Sequence, residues 1–254
     1  MEPAYIQLRN VWKSFEDQLI LAGIDLDVHR GETVGILGKS GTGKSVTLKL
    51  ISGLLPCDKG TVLVNGEDLA GKTEEELLAI RKKISYVFQS GALFDSISLF
   101  DNIAYPLLEQ VEYEYDIVEA RVHELASMLD VEDYLQEYPS DITLGVKKRV
   151  AIARALATEP DALLYDEPTT GLDPLMGKKI SKLIRTLNIN KKLTSVVVTH
   201  DIACIEIVSD KVAMLHEGAI RFFGTLKELQ ESPDEFIQEF LFGTNAFLPE
   251  PLSK

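Results

Sequence analysis

Residues 38–45 read Gly-Lys-Ser-Gly-Thr-Gly-Lys-Ser and combine glycines with lysines and hydroxyl side chains. The glycines at 38, 41 and 43 allow the backbone to turn so that several N–H groups point inward, toward an anionic ligand. Lys44 adds a full positive charge suited to the β- and γ-phosphates of a nucleotide, and the Ser45 hydroxyl is a suitable ligand for Mg²⁺. The segment therefore predicts a loop that binds phosphate groups.

The sequence on either side of this loop predicts the strand and the helix that such a loop requires. Residues Thr33–Leu37 form an apolar run typical of a buried strand, and residues 46–51 have the apolar spacing of a helix. The first turn of that helix adds unpaired backbone N–H groups beside the phosphates. The residues expected to contact the nucleotide phosphates are Gly38, Lys39, Ser40, Gly41, Thr42, Gly43, Lys44, Ser45 and Val46.

Polar side chains also follow three other apolar strand patterns, at residues 84–88, 161–165 and 195–199. The side chains at these strand ends are Gln89, Asp166, Glu167 and His200. Ligands of open α/β sheets bind beyond the carboxyl ends of the strands, so these side chains are expected to meet the phosphate loop at one edge of the sheet.

Each of these side chains suits one step of nucleotide hydrolysis. Asp166 can hold Mg²⁺, directly or through water, opposite Ser45, and Glu167 can orient or deprotonate a water in line with the γ-phosphate. The Gln89 amide could reach both the metal and that water, and His200 could hydrogen-bond the γ-phosphate. Each residue alone also fits a structural role at a strand end. Because they occur together with a phosphate-binding loop, the functional interpretation is favoured.

One aromatic side chain is a candidate for contact with the nucleobase. Phe15 is predicted to lie in the loop after a first strand near residues 5–11, where an exposed ring could stack on a base. A packing role fits the local sequence equally well. His216 has no comparable neighbours in the sequence and is interpreted as structural.

The periodicity of the chain predicts an α/β fold around the loop. The amino-terminal part is predicted to be antiparallel β structure, because Ile24, Leu26 and Val28 alternate with polar residues and residues 60–66 end in an Asn-Gly turn. The region from about 90 to 160 is predicted to be helical. Its predicted helices are Leu99–Leu108, 116–129 and 144–157, and a strand pair and two short helices are predicted at Lys211–His216, 219–223, 226–231 and 234–242.

Composition restricts the partners of the protein. The formal net charge of −14 over 254 residues argues against non-specific binding to nucleic acid or to an anionic bilayer. Cys57 and Cys204 lack metal-ligand spacing and fit a reducing compartment. No signal peptide and no membrane span is predicted, so a cytoplasmic protein is expected, with any membrane association through a protein partner.

The order of these motifs resembles the nucleotide-binding subunit of ATP-binding-cassette (ABC) transporters over essentially the whole chain. The resemblance implies one P-loop NTPase domain at 1–245, with an amino-terminal antiparallel β subdomain, a helical subdomain inserted at about 90–160, and a tail at 246–254. Matched by position, the family's functional residues are the adenine-stacking aromatic Phe15, the Walker A loop 38–45, the Q-loop Gln89, the Walker B Asp166, the catalytic Glu167, the D-loop 171–173 and the switch His200.

A narrower resemblance covers residues 87–96, 102–107 and 236–243. These segments are similar to the ATPases of Mla/Mce-type transporters, which move phospholipids or other hydrophobic substrates between membranes. The resemblance implies a lipid as the transported substrate.

One motif departs from the family pattern. Where the family carries the signature Leu-Ser-Gly-Gly-Gln, this chain reads Ile-Thr-Leu-Gly-Val at 142–146. In the family two subunits pack head to tail, which implies that Thr143, Gly145 and Asp173 contact the nucleotide held by the other subunit. Leu144 replaces a glycine where backbone must approach the γ-phosphate. Two interpretations follow: the change is tolerated with slower turnover, or the site is weak in a homodimer and needs a partner with an intact signature.

The resemblance as a whole implies an ATPase that uses ATP and Mg²⁺ at two composite sites of a dimer. Closure and reopening of the dimer would drive a membrane permease docked on the helical subdomain near residues 89–107, at the cytoplasmic face of the inner membrane. The altered signature leaves a low-activity regulatory subunit as the alternative. A soluble cassette ATPase acting on DNA or ribosomes is disfavoured, because no second cassette, coiled coil or basic face is seen in the sequence.

Overall fold

The computed structural model describes residues 3–109 and 114–243 of the chain. The tail predicted at 246–254, and the domain boundary predicted at 245, lie outside the described residues. The strands are β1 (Ile6–Phe15), β2 (Gln18–Val28), β3 (Thr33–Leu37), β4 (Lys59–Val64), β5 (Glu67–Asp68), β6 (Ile84–Val87), β7 (Ala162–Asp166), β8 (Thr194–Thr199), β9 (Lys211–His216) and β10 (Ala219–Gly224). The α-helices are α1 (Lys44–Ile51), α2 (Glu74–Arg81), α3 (Leu99–Leu108), α4 (Tyr115–Met128), α5 (Leu144–Leu156), α6 (Pro174–Lys191), α7 (Ile202–Val208), α8 (Leu226–Gln230) and α9 (Glu235–Phe242).

The parallel sheet places the carboxyl ends of its strands at one edge. Its strand order is β10-β9-β3-β8-β7-β6 among the described residues. Strands β9, β3, β8, β7 and β6 run parallel, and β10 pairs antiparallel with β9. Every residue of β3, β7 and β8 is buried, as expected for parallel strands covered on both faces. The predicted α/β class is confirmed.

The amino-terminal antiparallel sheet has the order β2-β1-β4-β5 among the described residues. The predicted turn at Asn65 and Gly66 is confirmed, since φ is +50° and +79° at these residues, as a type I′ hairpin turn requires. The first two strands were predicted too short, and Phe15 was predicted in the wrong element. Strand β2 begins at Gln18, and Phe15 is the last residue of β1, paired with Gln18, and does not lie in a loop. Register shifts along β1 interrupt the alternation that would have shown the full strands.

A helical region, α3 to α5, lies between β6 and β7 in the chain. The bounds predicted for α3 are those observed. Helix α4 begins and ends one residue earlier than predicted, and α5 ends one residue earlier than predicted. Buried Asn102 on α3 exchanges hydrogen bonds with the backbone N–H and carbonyl of Phe94, at 2.8 and 3.1 Å. These bonds fix the segment that follows Gln89 onto the helical region.

Helix α7 was not predicted from the sequence. It is only seven residues long, and it begins where the Asp201 side chain accepts a hydrogen bond from the Cys204 N–H. Within residues 3–109 and 114–243, none of the helices combines the length and the apolar character that crossing a bilayer demands.

Candidate active site

The segment at 38–45 leads from β3 into the first turn of α1, and two of its glycines have no room for a side chain. Gly43 has φ of +103°, and a Cβ there would lie 2.7 Å from Leu21 Cδ2. A Cβ on Gly38 would lie 2.6 Å from the Leu215 carbonyl oxygen. Both contacts are closer than real Cβ atoms approach, so the loop depends on glycine for its path over β9 and β2.

The Lys44 ammonium is held inside this loop. Its side chain is 5% exposed, and Nζ donates to the carbonyl oxygens of Gly38 at 2.9 Å and Lys39 at 3.0 Å. The same nitrogen lies 3.5 Å from Glu167 Oε1. The loop thereby holds a buried cation in a fixed position, which suits the binding of a polyphosphate.

Asp166, at the end of β7, is bonded through both carboxylate oxygens. Oδ1 accepts from the Ser45 hydroxyl at 2.8 Å, and Oδ2 accepts from the Tyr86 hydroxyl at 2.8 Å. Burial raises the pKa of Tyr86, and the charge of Asp166 raises it further, so the phenol stays protonated and donates. Ser45 and Asp166 offer adjacent hard oxygen atoms. They fit Mg²⁺, which takes few protein ligands and keeps water and phosphate oxygens as the others.

Glu167 lies at the centre of the hydrogen-bond network. Its Oε2 accepts from the hydroxyls of Thr170 and Thr199, each at 3.0 Å, and His200 Nδ1 lies 3.0 Å away. Burial raises the pKa of Glu167, but the hydrogen bonds from His200, Thr170 and Thr199 and the charge of Lys44 outweigh it, so the pKa lies below its ordinary value. The carboxylate is therefore ionised at neutral pH and fixed in position.

The backbone of Glu167 adopts an uncommon conformation, with φ of +47°. A non-glycine residue in this region costs on the order of 1 kcal/mol and persists only where its surroundings hold it. The Glu167 N–H donates to the Val198 carbonyl at 2.9 Å, which ties the residue to β8. In this conformation Glu167 Oε1 lies 3.5 Å from the Lys44 ammonium of the phosphate loop.

Lys148 links the helical region to this site and was not identified from the sequence. It is 1% exposed on α5, and its Nζ donates to the carbonyl oxygens of Gln89 and Glu167. Burial lowers the pKa of Lys148, opposed by the charges of Glu167 and Asp166. Lys148 lies in a run of three basic residues, 147–149, and such residues are usually exposed to solvent, so no sequence signal distinguishes it.

These groups surround one open cleft of about 670 Å³. The described lining residues are Phe15, Ile20, Lys39, Ser40, Gly41, Gly43, Lys44, Ser45, Val46, Gln89, Glu167, His200, Ile202 and Phe240. Three of them, Ile20, Ile202 and Phe240, were not predicted. Gly38, Thr42 and Asp166 were predicted but are not among the described lining residues. The Thr42 hydroxyl donates to the Lys39 carbonyl at 2.9 Å, and Asp166 accepts a hydrogen bond from Ser45, which does line the cleft.

Phe15 contributes an aromatic ring to the lining of the cleft. Its side chain is 42% exposed, and the Lys13 ammonium lies 5.5 Å from the ring centroid. An exposed aromatic ring of this kind is chemically able to stack on a nucleobase.

The residues predicted to act on a neighbouring subunit are not among the described residues that line this chain's own cleft. Thr143 caps α5, and its hydroxyl accepts from the Val146 N–H. Asp173 caps α6 and accepts from the N–H groups of Leu175 and Met176. Leu144 is 36% exposed beside the 169–173 turn.

Leu144 and Gly145 both pack against the neighbouring turn and helix. A Cβ placed on Gly171 would lie 3.0 Å from Leu144 Cδ2, and one placed on Gly145 would lie 3.0 Å from Met176 Cε. The signature segment and the 169–173 turn therefore touch within one chain.

Comparison with known proteins places the chain in a large group of ATP-binding subunits. Residues 21–170 match the family model described as ABC transporter. The intermembrane phospholipid transport ATP-binding protein MlaF of Escherichia coli strain K12 is 35% identical over 94% of this chain and 88% of its own length. The spermidine/putrescine import ATP-binding protein PotA of Nostoc sp. is 36% identical over 98% of this chain but only 64% of its own length.

A solved structure gives the same result for the fold. It is a dimeric ATP-binding cassette in a post-hydrolysis state, bound to ADP and Pi, with a TM-score of 0.80 and 32% sequence identity. The match covers 87% of this chain and 98% of that one.

Proposed function

This chain belongs to the ABC transporter family as an ATPase subunit, and we propose that the transporter it powers moves phospholipid through a partner permease. The likeness to MlaF carries the proposal, because it spans 94% of this chain and 88% of a phospholipid transport protein. The similar identity to PotA makes a small cation such as spermidine the competing substrate. The segments at 87–96 and 102–107 add support for lipid, since they resemble the Mla/Mce subgroup.

The geometry of the cleft supports a division of labour in hydrolysis. Residues 38–46 bind the phosphates, Phe15 stacks on adenine, and Ser45, Asp166 and Gln89 provide the oxygen ligands of Mg²⁺. Mg²⁺ held by these residues would neutralise part of the negative charge of the phosphates. Glu167 orients the attacking water and accepts its proton, and His200 hydrogen-bonds the γ-phosphate while it holds the Glu167 carboxylate.

The active form on this proposal is a dimer with two composite sites. Thr143, Gly145 and Asp173 act on the nucleotide of the other subunit, which agrees with their position outside the lining of their own cleft. The dimeric state of the solved cassette bound to ADP and Pi supports this arrangement. Two copies of this chain are the simplest dimer, and a heterodimer with a related subunit is the alternative.

A groove beside Gln89 is the proposed docking site of the permease. It has a volume of about 540 Å³, and its described lining includes Leu54, Leu78, Phe88 and Pro106. Leu54 and Leu78 are 43% and 55% exposed. Because the relatives are subunits of membrane transport systems, we assign the groove to a cytoplasmic segment of the permease, which would hold this chain at the cytoplasmic face of the inner membrane.

The groove is connected to the metal-binding side chains through two stacked rings. Phe88 and Tyr86 both line the groove, with ring centroids 4.3 Å apart and an interplanar angle of 30°. The Tyr86 hydroxyl donates to Asp166. A permease segment that displaces Phe88 would thus shift the donor that orients Asp166, which gives transport and hydrolysis a direct physical link.

The proposed function is tested on the complex of this chain with its permease, purified from membranes in detergent. We expect ATP turnover by the complex to rise on addition of phospholipid and to be unaffected by spermidine. The variant Leu78→Glu should lose the permease on purification, because it places a charge in the groove. Ile189→Glu, which alters an equally exposed apolar residue on α6 (59% exposed), should retain it. Stimulation by spermidine alone would refute the lipid assignment.

A second prediction of this proposal concerns the effect of the Leu144 side chain on ATP turnover. Leu144→Gly should raise ATP turnover by about three- to tenfold, about 0.7–1.4 kcal/mol in the barrier, because it removes a side chain from the surface that closes over the γ-phosphate. The turnover of Leu144→Ala should lie between that of the original protein and that of Leu144→Gly. Phosphate release measured at saturating ATP decides the matter. Unchanged turnover across the series would show that Leu144 does not impede closure, and negligible turnover in the original protein would favour the regulatory alternative.

A further inference from the structure

The helix nearest the end of the described chain reaches the nucleotide cleft. Phe240 on α9 lines the cleft together with Phe15 and Ile20. Phe240 is partly buried against the apolar core, so its ring is held and not free in solvent. The cleft therefore has aromatic side chains from two distant parts of the sequence.

Helix α9 is anchored in this position by a charged cap and a buried residue. The Asp234 carboxylate accepts hydrogen bonds from the N–H groups of Phe236, at 2.9 Å, and Ile237, at 3.4 Å. Its second oxygen accepts from Arg221 Nε at 2.6 Å, which ties the start of the helix to β10. Ile237 is 1% exposed. These contacts set the rotation of the helix, and with it the direction of Phe240.

Phe236, one turn before Phe240, makes contact with the phosphate loop. Its ring stacks on His216 with centroids 3.7 Å apart, and the ammonium of Lys39 lies 5.5 Å from its centroid. Lys39 itself lines the cleft. His216, interpreted as structural from the sequence, is thus part of the support that joins α9 to the loop.

We propose that α9 completes the nucleotide site, with Phe240 giving the purine base of ATP an aromatic contact additional to Phe15. The inference rests on the proposed role of the cleft in binding ATP and adds a base-binding residue to it. Base–aromatic stacking depends on the π-face of the base and not on the phosphates. Phe240 therefore contributes affinity for nucleotides but not for a polyphosphate that has no base. By linkage, ATP also stabilises the docked position of α9.

The test compares two ligands on the full-length protein. Phe240→Leu keeps an apolar side chain against the core and removes the ring. We expect its Kd for MgATP, measured by isothermal titration calorimetry, to rise about tenfold, while its Kd for magnesium tripolyphosphate is unchanged. Phe242→Leu is the matched control, since Phe242 lies on the same helix, is 57% exposed, and is not among the described residues lining the cleft. Its two Kd values should equal those of the original protein.

Two outcomes would overturn the inference. An unchanged Kd for MgATP in Phe240→Leu would show that the ring does not contact the base. Equal weakening for both ligands would show that Phe240 acts only by supporting the loop. Both measurements record ligand binding to this chain without its permease, so a failure of phospholipid to stimulate the permease complex would count against the proposed function and leave this result standing.

Discussion

Replacing Glu167 with glutamine is expected to lower ATP turnover by at least about 100-fold, the range in which loss of a positioned general base falls. Glutamine keeps the size of the side chain and one oxygen that can accept from Thr170 and Thr199, but it cannot take a proton from water. The variant also removes a negative charge 3.5 Å from the Lys44 ammonium. ATP affinity should therefore be retained or slightly increased. Phosphate release and MgATP titration, on the same preparation with its permease, separate the two effects.

Glu231→Gln provides the control for Glu167→Gln. Glu231 is an exposed carboxylate 3.8 Å from Lys227, so its loss changes the net charge by the same amount without touching the cleft. Its turnover should equal that of the original protein. Equal turnover in Glu167→Gln and the original protein would remove the catalytic role from Glu167 and direct attention to another base.

The parts of the site that were predictable are those where a local pattern carries the information. A fully buried parallel strand is a continuous apolar run, so the polar residues that end β7 and β8, such as Asp166 and His200, are visible in the sequence. The glycines of the phosphate loop are also visible in the sequence, because their spacing reflects the backbone geometry of the loop. The carboxyl ends of parallel strands lie at the same edge of the sheet, so the sequence pattern also predicts that these residues are close together.

The parts that were not predictable depend on contacts between distant segments. In the sequence Tyr86 looks like any aromatic residue of a strand, and only the fold brings Asp166 to its hydroxyl. Lys148 likewise looks like a surface lysine, and only the packing of α5 brings it to the Gln89 carbonyl. Phe240 is close to the cleft only because β9, β10 and α9 return to the phosphate loop. The strands β1 and β2 were predicted too short for a local reason, since their register shifts break the alternation of buried and exposed residues.

Replacing Lys44 with alanine is expected to weaken MgATP binding by about 100-fold or more and to abolish measurable turnover. A charge-assisted hydrogen bond contributes about 1.5–3 kcal/mol, and the ammonium is the buried cation oriented into the loop. The variant also leaves the carbonyl oxygens of Gly38 and Lys39, and the carboxylate of Glu167, without their positive neighbour. Without the ammonium between them, the Glu167 carboxylate would repel the γ-phosphate more strongly. The Kd for MgATP, measured by titration calorimetry, reports the effect.

Two further lysine variants distinguish position from charge in this prediction. Lys49→Ala removes the same charge from the last turn of α1, so it should lower ATP affinity by less than about threefold, the scale of a helix-terminus charge effect. Lys44→Arg keeps the charge but places a larger, planar group in a pocket where the lysine is 5% exposed, so it should bind nearly as poorly as Lys44→Ala. Normal MgATP affinity in Lys44→Ala would contradict the assignment of this lysine to the phosphates. Full rescue by arginine would show that charge alone, and not the geometry of the loop, determines binding.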